Sequence, residues 1–546
     1  MKQKTTWKQG LGMLFLAVGL ILLGNSIRMS FCGDIWYDEL FTMGLIQHSY
    51  GELTAFTAQD VHPPLYYYIV KMVIELCKLI MPAANTVTAA KIVSVIPYFL
   101  LFFYAVFYLR KRFGLFSAGL FFFCILAMPK MSAYTVEIRM YSWALFFVTA
   151  AYFHAYELIQ GIRSKRWYLH GAAFVCYGLA ASYTQYFACV AVIMLYLGLF
   201  LWFLTYGKKK NEANVLDGAK EPKGSMWRIR AWFIGVSISA LAYLPWLFVL
   251  SRQMSAIREN YWILPLTWRS LGGCVKYIFL PAFTGGPSGV LLAVLFFCIY
   301  GVLFLYLLIR AFKRGDLLSV YATLGAFVLA GLVLFGFAVS YLFRPIFVYR
   351  YMMPALGCFW FSFVLGLDQV GGKGAETKKG TKIRKSIEIR KAAEIIGMMI
   401  CVLVLITGFG NYRAFLGEEQ YKAVLMEETE AALSGLDEED ILIFNFDQVQ
   451  MVTGYYLNND SYLWYGQPEE LVQEICGKKK SLNEDIVQIR EWLSAGKQVW
   501  FLGSFNSRED ILALWQEEGI ANEEQGSYLL ERYWFNLYAL ALEDEL

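Results

Sequence analysis

The sequence predicts an all-α polytopic membrane protein that carries a small α/β domain at its C-terminal end. Hydrophobic residues make up 58% of the 546 positions and charged residues only 17%, whereas soluble domains carry roughly 25% charged residues. Charge is unevenly distributed, because residues 1–411 hold 39 Lys+Arg against 17 Asp+Glu and residues 412–546 hold 9 against 27. We therefore expect a basic membrane domain, 1–411, and an acidic soluble domain, 412–546.

Eleven segments are apolar enough to predict membrane-spanning helices, which need about 20 mainly apolar residues each. Their approximate bounds are 10–29, 91–109, 114–130, 141–159, 168–182, 187–206, 231–250, 288–309, 318–341, 351–367 and 392–411. Lysine and arginine clusters precede the first segment and follow every second one thereafter, so they share one side of the membrane. Because such clusters mark the cytoplasmic side, we expect a cytoplasmic N-terminus and an extracytoplasmic C-terminal domain.

Two further segments complete this topology. Leu65–Met81 is nearly as apolar as a span but contains Lys71, Glu75 and Lys78. Counting it as a span would reverse every later loop, so we interpret it as a juxtamembrane helix that lies at the interface. Residues 371–391 are rich in glycine and lysine and predict a flexible basic cytoplasmic loop. The expected location is the plasma membrane, and a bacterial one is favoured because the C-terminus only loosely resembles a retention signal.

The first external loop, 30–90, contains unusual acidic residues for so apolar a chain. Asp38 and Glu39 are adjacent, so they cannot face the same way on a regular element. An acidic pair at a membrane surface is costly unless it serves chemistry or recognition, although a helix N-cap is the simpler alternative. Asp60 and His62 precede two prolines that fix the backbone and start a helix at Leu65. A single histidine is more often structural, but together these residues predict one shared external site.

Three arginines stand on the external face, against the usual charge asymmetry of membrane proteins. Arg139, Arg344 and Arg350 each lie next to a predicted span and near tyrosines. A guanidinium at such a position suits a phosphate, which it binds through paired and geometrically fixed hydrogen bonds. A lipid headgroup contact or an internal pair such as Glu137–Arg139 is the alternative.

At these residues the chain resembles polytopic glycosyltransferases of the C-type fold, in particular the family 39, protein mannosyltransferase-like and aminoarabinose-transferase-like group. The matching motifs, over residues 1–370, are Trp36–Leu40 (Trp-Tyr-Asp-Glu-Leu), Asp60–Leu65 (Asp-Val-His-Pro-Pro-Leu), Glu137–Tyr141 (Glu-Ile-Arg-Met-Tyr) and Arg350–Pro354 (Arg-Tyr-Met-Met-Pro). Each motif alone is weak, but the four occur in the expected order on the predicted external face. The departure is Gln185, where a histidine is common in this group, which puts any histidine-dependent role there in doubt.

The resemblance implies an inverting enzyme that takes a sugar from a polyprenyl-phosphate donor. It implies that an acidic residue of the first loop is the base, which we assign to Asp38, with Glu39 in support. The phosphate-binding candidates are Arg139, Arg350, Arg344 and Tyr351. The remaining candidates for substrate or metal binding are Asp60, His62, Glu137 and Tyr141.

The sequence requires no cofactor, although Asp60, His62 and Glu39 are suitable ligands for a divalent cation. The expected partners are the lipid-linked sugar, membrane lipid and an acceptor glycan, lipid or protein, and no nucleic acid is expected. A lipid-linked glycan carrier or flippase without catalytic activity is the main alternative. Such a carrier would need ionisable residues along a pathway within its spans, and the predicted spans are nearly free of charge.

The acidic C-terminal region has the pattern of a small α/β domain. Residues 441–445 and 498–503 predict buried strands, and residues 484–495 and 508–518 predict amphipathic helices. Residues 528–542 predict aromatic-rich strands. The domain matches no motif with a known role, so binding an acceptor glycan and simply covering the site are both open interpretations.

Overall fold

The computed structural model describes residues 6–32, 35–160, 166–217, 226–256, 263–370, 381–466, 470–476, 480–530 and 532–543. Each of the eleven predicted spans lies on a helix. These helices are α1 (Thr6–Met29), α5 (Thr86–Phe103, continued by a π-helical turn Tyr104–Leu109 and α6 Arg110–Arg112), α7 (Leu115–Ala127), α8 (Tyr141–Gln160), α9 (Trp167–Ser182), α10 (Tyr186–Asp217), α11 (Met226–Ala256), α13 (Gly286–Arg314), α14 (Leu317–Leu342), α15 (Met353–Gln369) and α16 (Thr381–Leu433). Helix α12 (Arg269–Phe279) lies in the loop before α13.

Within the described residues, eight helices are long and apolar enough to cross a membrane. The other three predicted spans correspond to α7, α8 and α9. Helices α7 and α9 have 13 and 16 residues, which is shorter than the roughly 20 residues that span a bilayer. Helix α8 has 20 residues but carries His154 and Glu157, which lower its hydropathy. Nearly all of α7 and α8 is buried among the other helices.

Three short helices build the first loop: α2 (Tyr37–Leu45), α3 (Tyr50–Gln59) and α4 (Leu65–Ile80). Helix α4 begins at Leu65 directly after the two prolines, as the sequence predicts. Its residues Tyr67 and Ile74 are buried, whereas Met72 and Leu79 expose more than half of their surface. This apolar exposure on one face is typical of a helix that lies along a membrane interface.

Helix α16 joins the two predicted domains without a break. It runs from Thr381 to Leu433, so the boundary predicted after residue 411 falls inside a helix. The predicted flexible loop 371–391 is only partly observable, since 371–380 lie outside the described residues. The rest of that segment, 381–391, forms the first turns of α16, because its basic residues have helical propensity and no glycine or proline interrupts them.

The C-terminal region forms the predicted small α/β domain. Its strands are β1 (Ile441–Phe444), β2 (Asp460–Leu463), β3 (Lys480–Ser481), β4 (Val499–Gly503), β5 (Ile520–Leu530) and β6 (Tyr533–Leu542), in the sheet order β3-β2-β1-β4-β6-β5. The first four are parallel and the β5–β6 hairpin is antiparallel. The helices are α17 (Asp447–Tyr456), α18 (Glu470–Cys476), α19 (Ile486–Ser494) and α20 (Ser507–Glu517). They connect the strands of a sheet whose central strand β1 is fully buried.

The C-terminal domain packs directly on the first loop of the membrane domain. His48 hydrogen-bonds the backbone carbonyl of Ile475 at 3.1 Å, and the Cys476 thiol lies 3.8 Å from the carbonyl of Leu40. Gly44 of α2 lies so close that a Cβ atom there would be 2.8 Å from the Ile475 side chain. The domain is therefore seated on the loop that carries Asp38.

Candidate active site

The N-terminus of α2 separates the acidic pair, as the sequence predicts. Glu39 is only 3% exposed, and both of its carboxylate oxygens accept backbone hydrogen bonds. The N–H of Trp36 donates to one oxygen at 3.2 Å, and the N–H of Ile138 donates to the other at 2.6 Å. The Thr42 hydroxyl donates in turn to the carbonyl of Ile138 at 3.2 Å. Glu39 therefore joins α2 to the segment that precedes α8.

Asp38 faces the two arginines that the sequence placed on the same external side. Nη1 of Arg350 donates to Oδ2 of Asp38 at 3.0 Å, and Nη2 of Arg139 lies 3.9 Å from the same oxygen. Arg139 also donates to the backbone carbonyl of Asp38 at 2.8 Å. The Asp38 side chain keeps 23% of its surface exposed. A reachable carboxylate between two guanidinium groups is thus assembled from residues up to 312 positions apart.

Arg344 is not among the described residues that contact Asp38. It lies half-buried in the segment after α14, six positions before Arg350. The tyrosines beside the arginines are both buried: the ring of Tyr141 lies 6.0 Å from the Arg350 guanidinium, and Tyr351 stacks on Phe187 at 4.8 Å. Both tyrosines thus lie beside the arginines that hold Asp38.

Asp60 and His62 form a pair at the corner between α3 and α4. Nδ1 of His62 lies 2.8 Å from Oδ2 of Asp60. Burial raises the pKa of Asp60, but the neighbouring His62 and the charge of Arg139 outweigh it and lower the pKa. The N–H of Leu65 donates to the carbonyl of Tyr183 at 3.0 Å, which fixes this corner against the turn before α10. The electrostatic coupling to Arg139 places the pair beside the Asp38 cluster.

Glu137 is buried close to the same arginines. Burial raises its pKa, and the charges of Arg532, Arg139 and Arg350 oppose that rise. Its backbone carbonyl accepts a hydrogen bond from Ser94 at 2.6 Å. Glu137 and Arg139 therefore do not form a simple internal pair. They belong to a larger cluster in which Arg139 contacts Asp38.

Several buried polar atoms around Asp38 have no hydrogen-bond partner among the described residues. They include the hydroxyls of Tyr67 and Tyr141 and Nε of Arg139. Both side-chain amide atoms of Gln185, in the turn before α10, are likewise buried without a partner among the described residues. Burial raises the pKa of Tyr67, and the charges of Asp60 and Asp38 raise it further, whereas the charge of Arg139 lowers it. The Tyr67 hydroxyl therefore belongs to the same cluster. Buried polar groups are nearly always hydrogen-bonded, so this cluster has spare capacity to bind a polar ligand.

Tyr67 and the C-terminal contacts are the functional candidates that sequence reasoning missed. The run Tyr66–Tyr68 looks like an ordinary interfacial anchor in the sequence, but Tyr66 and Tyr67 are both fully buried. The guanidinium of Arg532 lies 3.7 Å from the Trp36 ring centroid. Burial and the charge of Asp38 both raise the pKa of Tyr533. These residues are about 500 positions away from Asp38, so no local pattern marks them.

The residues suggested as ligands for a divalent cation do not form a metal site. Both oxygens of Glu39 are engaged by backbone N–H groups, and Asp60 and His62 pair with each other. Within the described part of the chain, no group of three or more His, Cys, Asp or Glu residues is arranged to hold a metal ion. We therefore derive no step through a metal.

Comparison with solved structures identifies the fold. The chain is similar to ArnT from Cupriavidus metallidurans bound to undecaprenyl phosphate, with a TM-score of 0.53 and 13% identity over 97% of this chain and 98% of that one. ArnT in the apo state gives a TM-score of 0.52 and 14% identity over 98% of both chains. The Archaeoglobus fulgidus oligosaccharyltransferase is more distant, at a TM-score of 0.42, 11% identity and 88% and 68% coverage. No family model and no curated protein matches the chain.

These likenesses place the chain in a structural class. It has the C-type fold of polytopic membrane glycosyltransferases, a multi-pass helical domain followed by a small C-terminal domain. The fold expected from the four sequence motifs is thereby confirmed.

Proposed function

We propose that this protein is an integral-membrane glycosyltransferase that moves a sugar from a polyprenyl-phosphate donor to an acceptor hydroxyl at the external face. The observation that carries the proposal is the partly exposed Asp38 carboxylate held between Arg139 and Arg350. The fold of ArnT, which was solved bound to undecaprenyl phosphate, supports a lipid-linked donor. The positive-inside pattern supports the external location.

In the proposed reaction, Asp38 accepts the proton of the acceptor hydroxyl. The hydroxyl oxygen bonds to the anomeric carbon from the face opposite the phosphate. The bond between that carbon and the phosphate oxygen then breaks, and both electrons remain on the phosphate. The configuration at the anomeric carbon is thereby inverted. Because phosphate is already a good leaving group, the protein mainly supplies a base, positioning and positive charge.

The ion pair between Asp38 and Arg350 implies that the donor binds before Asp38 accepts a proton. Arg350 is engaged by the carboxylate in the structure, and a donor phosphate would compete for the same guanidinium. A phosphate suits the planar donor fork of arginine at least as well as a carboxylate does. Donor binding would therefore draw Arg350 away from Asp38 and leave the carboxylate available to accept a proton. The base would act only when the donor is in place.

The experiment that tests the proposal measures release of polyprenyl phosphate from a panel of polyprenyl-phosphate sugars by the full-length protein in lipid nanodiscs. We expect turnover by the wild type and loss of turnover in a folded Asp38→Asn variant. Asp316→Asn is the matched control, because Asp316 pairs with Arg310 at 3.1 Å at the other end of the spans. Binding of the panel without turnover, in the wild type and in both variants, would contradict the proposal and favour a carrier.

A further inference from the structure

The parallel part of the C-terminal sheet has a topological switch point next to the membrane domain. The chain passes from β1 through α17 to β2 on one side, and β4 is added on the other side of β1. Ligands of such sheets bind in the crevice outside the carboxyl ends of the strands where the order reverses. By this rule, the ligand crevice of this domain is expected between the ends of β1 and β4, at Asn445–Asp447 and Ser504–Phe505.

The turn after β4 is held in a strained form that exposes an aromatic ring. Phe505 has a φ of +56° and is 63% exposed. A positive φ is unfavourable for a bulky residue, and such strain persists where function requires the side chain there. The buried side chain of Asn445 fixes the turn, since it donates to the carbonyl of Ser504 at 2.7 Å and accepts from its N–H at 2.8 Å.

Three neighbouring rings, those of Phe505, Phe446 and Tyr533, form an aromatic row that leads from this crevice to Asp38. The ring of Phe446 lies 5.0 Å from that of Phe505 and 5.7 Å from that of Tyr533. Burial and the charge of the Asp38 carboxylate both raise the pKa of Tyr533, and the backbone of Tyr37, the residue before Asp38, opposes that rise, so Tyr533 lies beside the start of α2. The row therefore connects an exposed ring of the C-terminal domain to the proposed base.

Polar groups accompany the rings in the crevice. The carboxylate of Asp447 follows Phe446 and is half-buried. The hydroxyl of Ser504 is buried and has no hydrogen-bond partner among the described residues. Aromatic faces beside carboxylate and hydroxyl groups match the chemistry of a saccharide, which offers C–H faces for stacking and hydroxyls for hydrogen bonds.

We propose that the crevice between β1 and β4 binds the acceptor as a glycan and directs one of its hydroxyls along the aromatic row to Asp38. Arg139 and Arg350 occupy the donor side of Asp38, so the acceptor has to reach the carboxylate from the side of Tyr533. The delivery of the hydroxyl rests on the proposed glycosyltransferase function. The saccharide site itself rests only on the geometry of the C-terminal domain.

The test uses the full-length protein in lipid nanodiscs and a printed array of hexose, N-acetylhexosamine and uronic acid oligosaccharides. Phe505→Gly removes the stacking ring and also relieves the positive φ, so the variant is expected to fold at least as well as the wild type. Trp534→Ala is the matched control, because this half-exposed ring follows Tyr533 on β6 and points to the opposite face. We expect at least one saccharide class to bind the wild type and the control equally, and Phe505→Gly about tenfold more weakly.

The outcomes separate this inference from the proposed function. Absence of saccharide binding, equal binding by Phe505→Gly, or binding to lipid vesicles alone overturns the saccharide site, even where Asp38 supports turnover of the donor. Ring-dependent saccharide binding without any release of polyprenyl phosphate keeps the site and overturns the glycosyltransferase. If both hold, the bound saccharide class is expected to be the acceptor, with a KM that rises about tenfold in Phe505→Gly while donor hydrolysis is unchanged.

Discussion

At the scale of single residues, the proposed reaction requires the charge of Arg350 to stabilise the departing phosphate. Arg350→Gln is expected to lower kcat about 100-fold, which is typical for loss of one group that stabilises developing charge. Arg344→Gln is expected to cause a smaller loss, since Arg350 contacts Asp38 and the described contacts of Asp38 do not include Arg344. Steady-state turnover of the donor checks both variants, and an equal loss in the two would contradict the assignment of Arg350.

The hydroxyl of Tyr67 offers a second test at the residue scale, because it is buried without a partner. Tyr67→Phe is expected to leave the unfolding temperature unchanged or slightly raised, because it removes an unsatisfied polar group. Donor KM is expected to rise about tenfold, the value of one hydrogen bond to a charged ligand. Tyr152→Phe is the control, since the buried Tyr152 hydroxyl donates to the carbonyl of Tyr321 at 2.8 Å, away from the cluster. An unchanged KM in Tyr67→Phe would show that its hydroxyl does not reach the donor.

At the scale of secondary-structure elements, Glu39 joins α2 to the segment before α8 through two backbone hydrogen bonds. Glu39→Gln places an amide NH2 against one of those N–H groups, which leaves a buried donor unsatisfied at a cost of about 1–3 kcal/mol. We expect the unfolding temperature of Glu39→Gln to be lower than that of the wild type. A Glu39→Gln protein that is inactive but as stable as the wild type would instead make Glu39 a participant in proton transfer.

The corner between α3 and α4 is expected to be sensitive to acid. The pKa of Asp60 is lowered by His62 and Arg139 against the effect of burial. A carboxylate whose folded pKa is depressed contributes stability above its unfolded pKa of about 4, and that stability is lost as the pH falls through the folded value. Asp60→Asn is expected to lack this component, so its unfolding temperature should fall less between pH 5 and pH 3. An equal fall in unfolding temperature for the wild type and Asp60→Asn over this pH range would contradict a lowered pKa of Asp60.

At the scale of the whole molecule, hydropathy and charge predict the helices and the α/β tail, because burial in lipid and the 3.6-residue and two-residue periods are local properties of the chain. Contacts between distant elements are not local. Arg344 and Arg350 have nearly the same sequence surroundings, and only the packing of the segment after α14 brings Arg350 to Asp38. Likewise, Tyr533 reaches Asp38 only because the C-terminal domain is seated on α2.

The contact between the C-terminal domain and α2 allows a test of whether this domain is needed for the proposed active site. Gly44 of α2 has no room for a Cβ atom, which would lie 2.8 Å from Ile475 and 2.9 Å from the Cys476 sulfur. Gly44→Leu is therefore expected to push the domain off α2 and to abolish transfer to an acceptor, while donor hydrolysis by Asp38 persists. Gly51→Leu is the control, since a Cβ there meets only Ser49, at 4.0 Å. Faster proteolysis of the C-terminal domain in Gly44→Leu alone would report its release, and full transfer activity despite that release would show that the domain is dispensable.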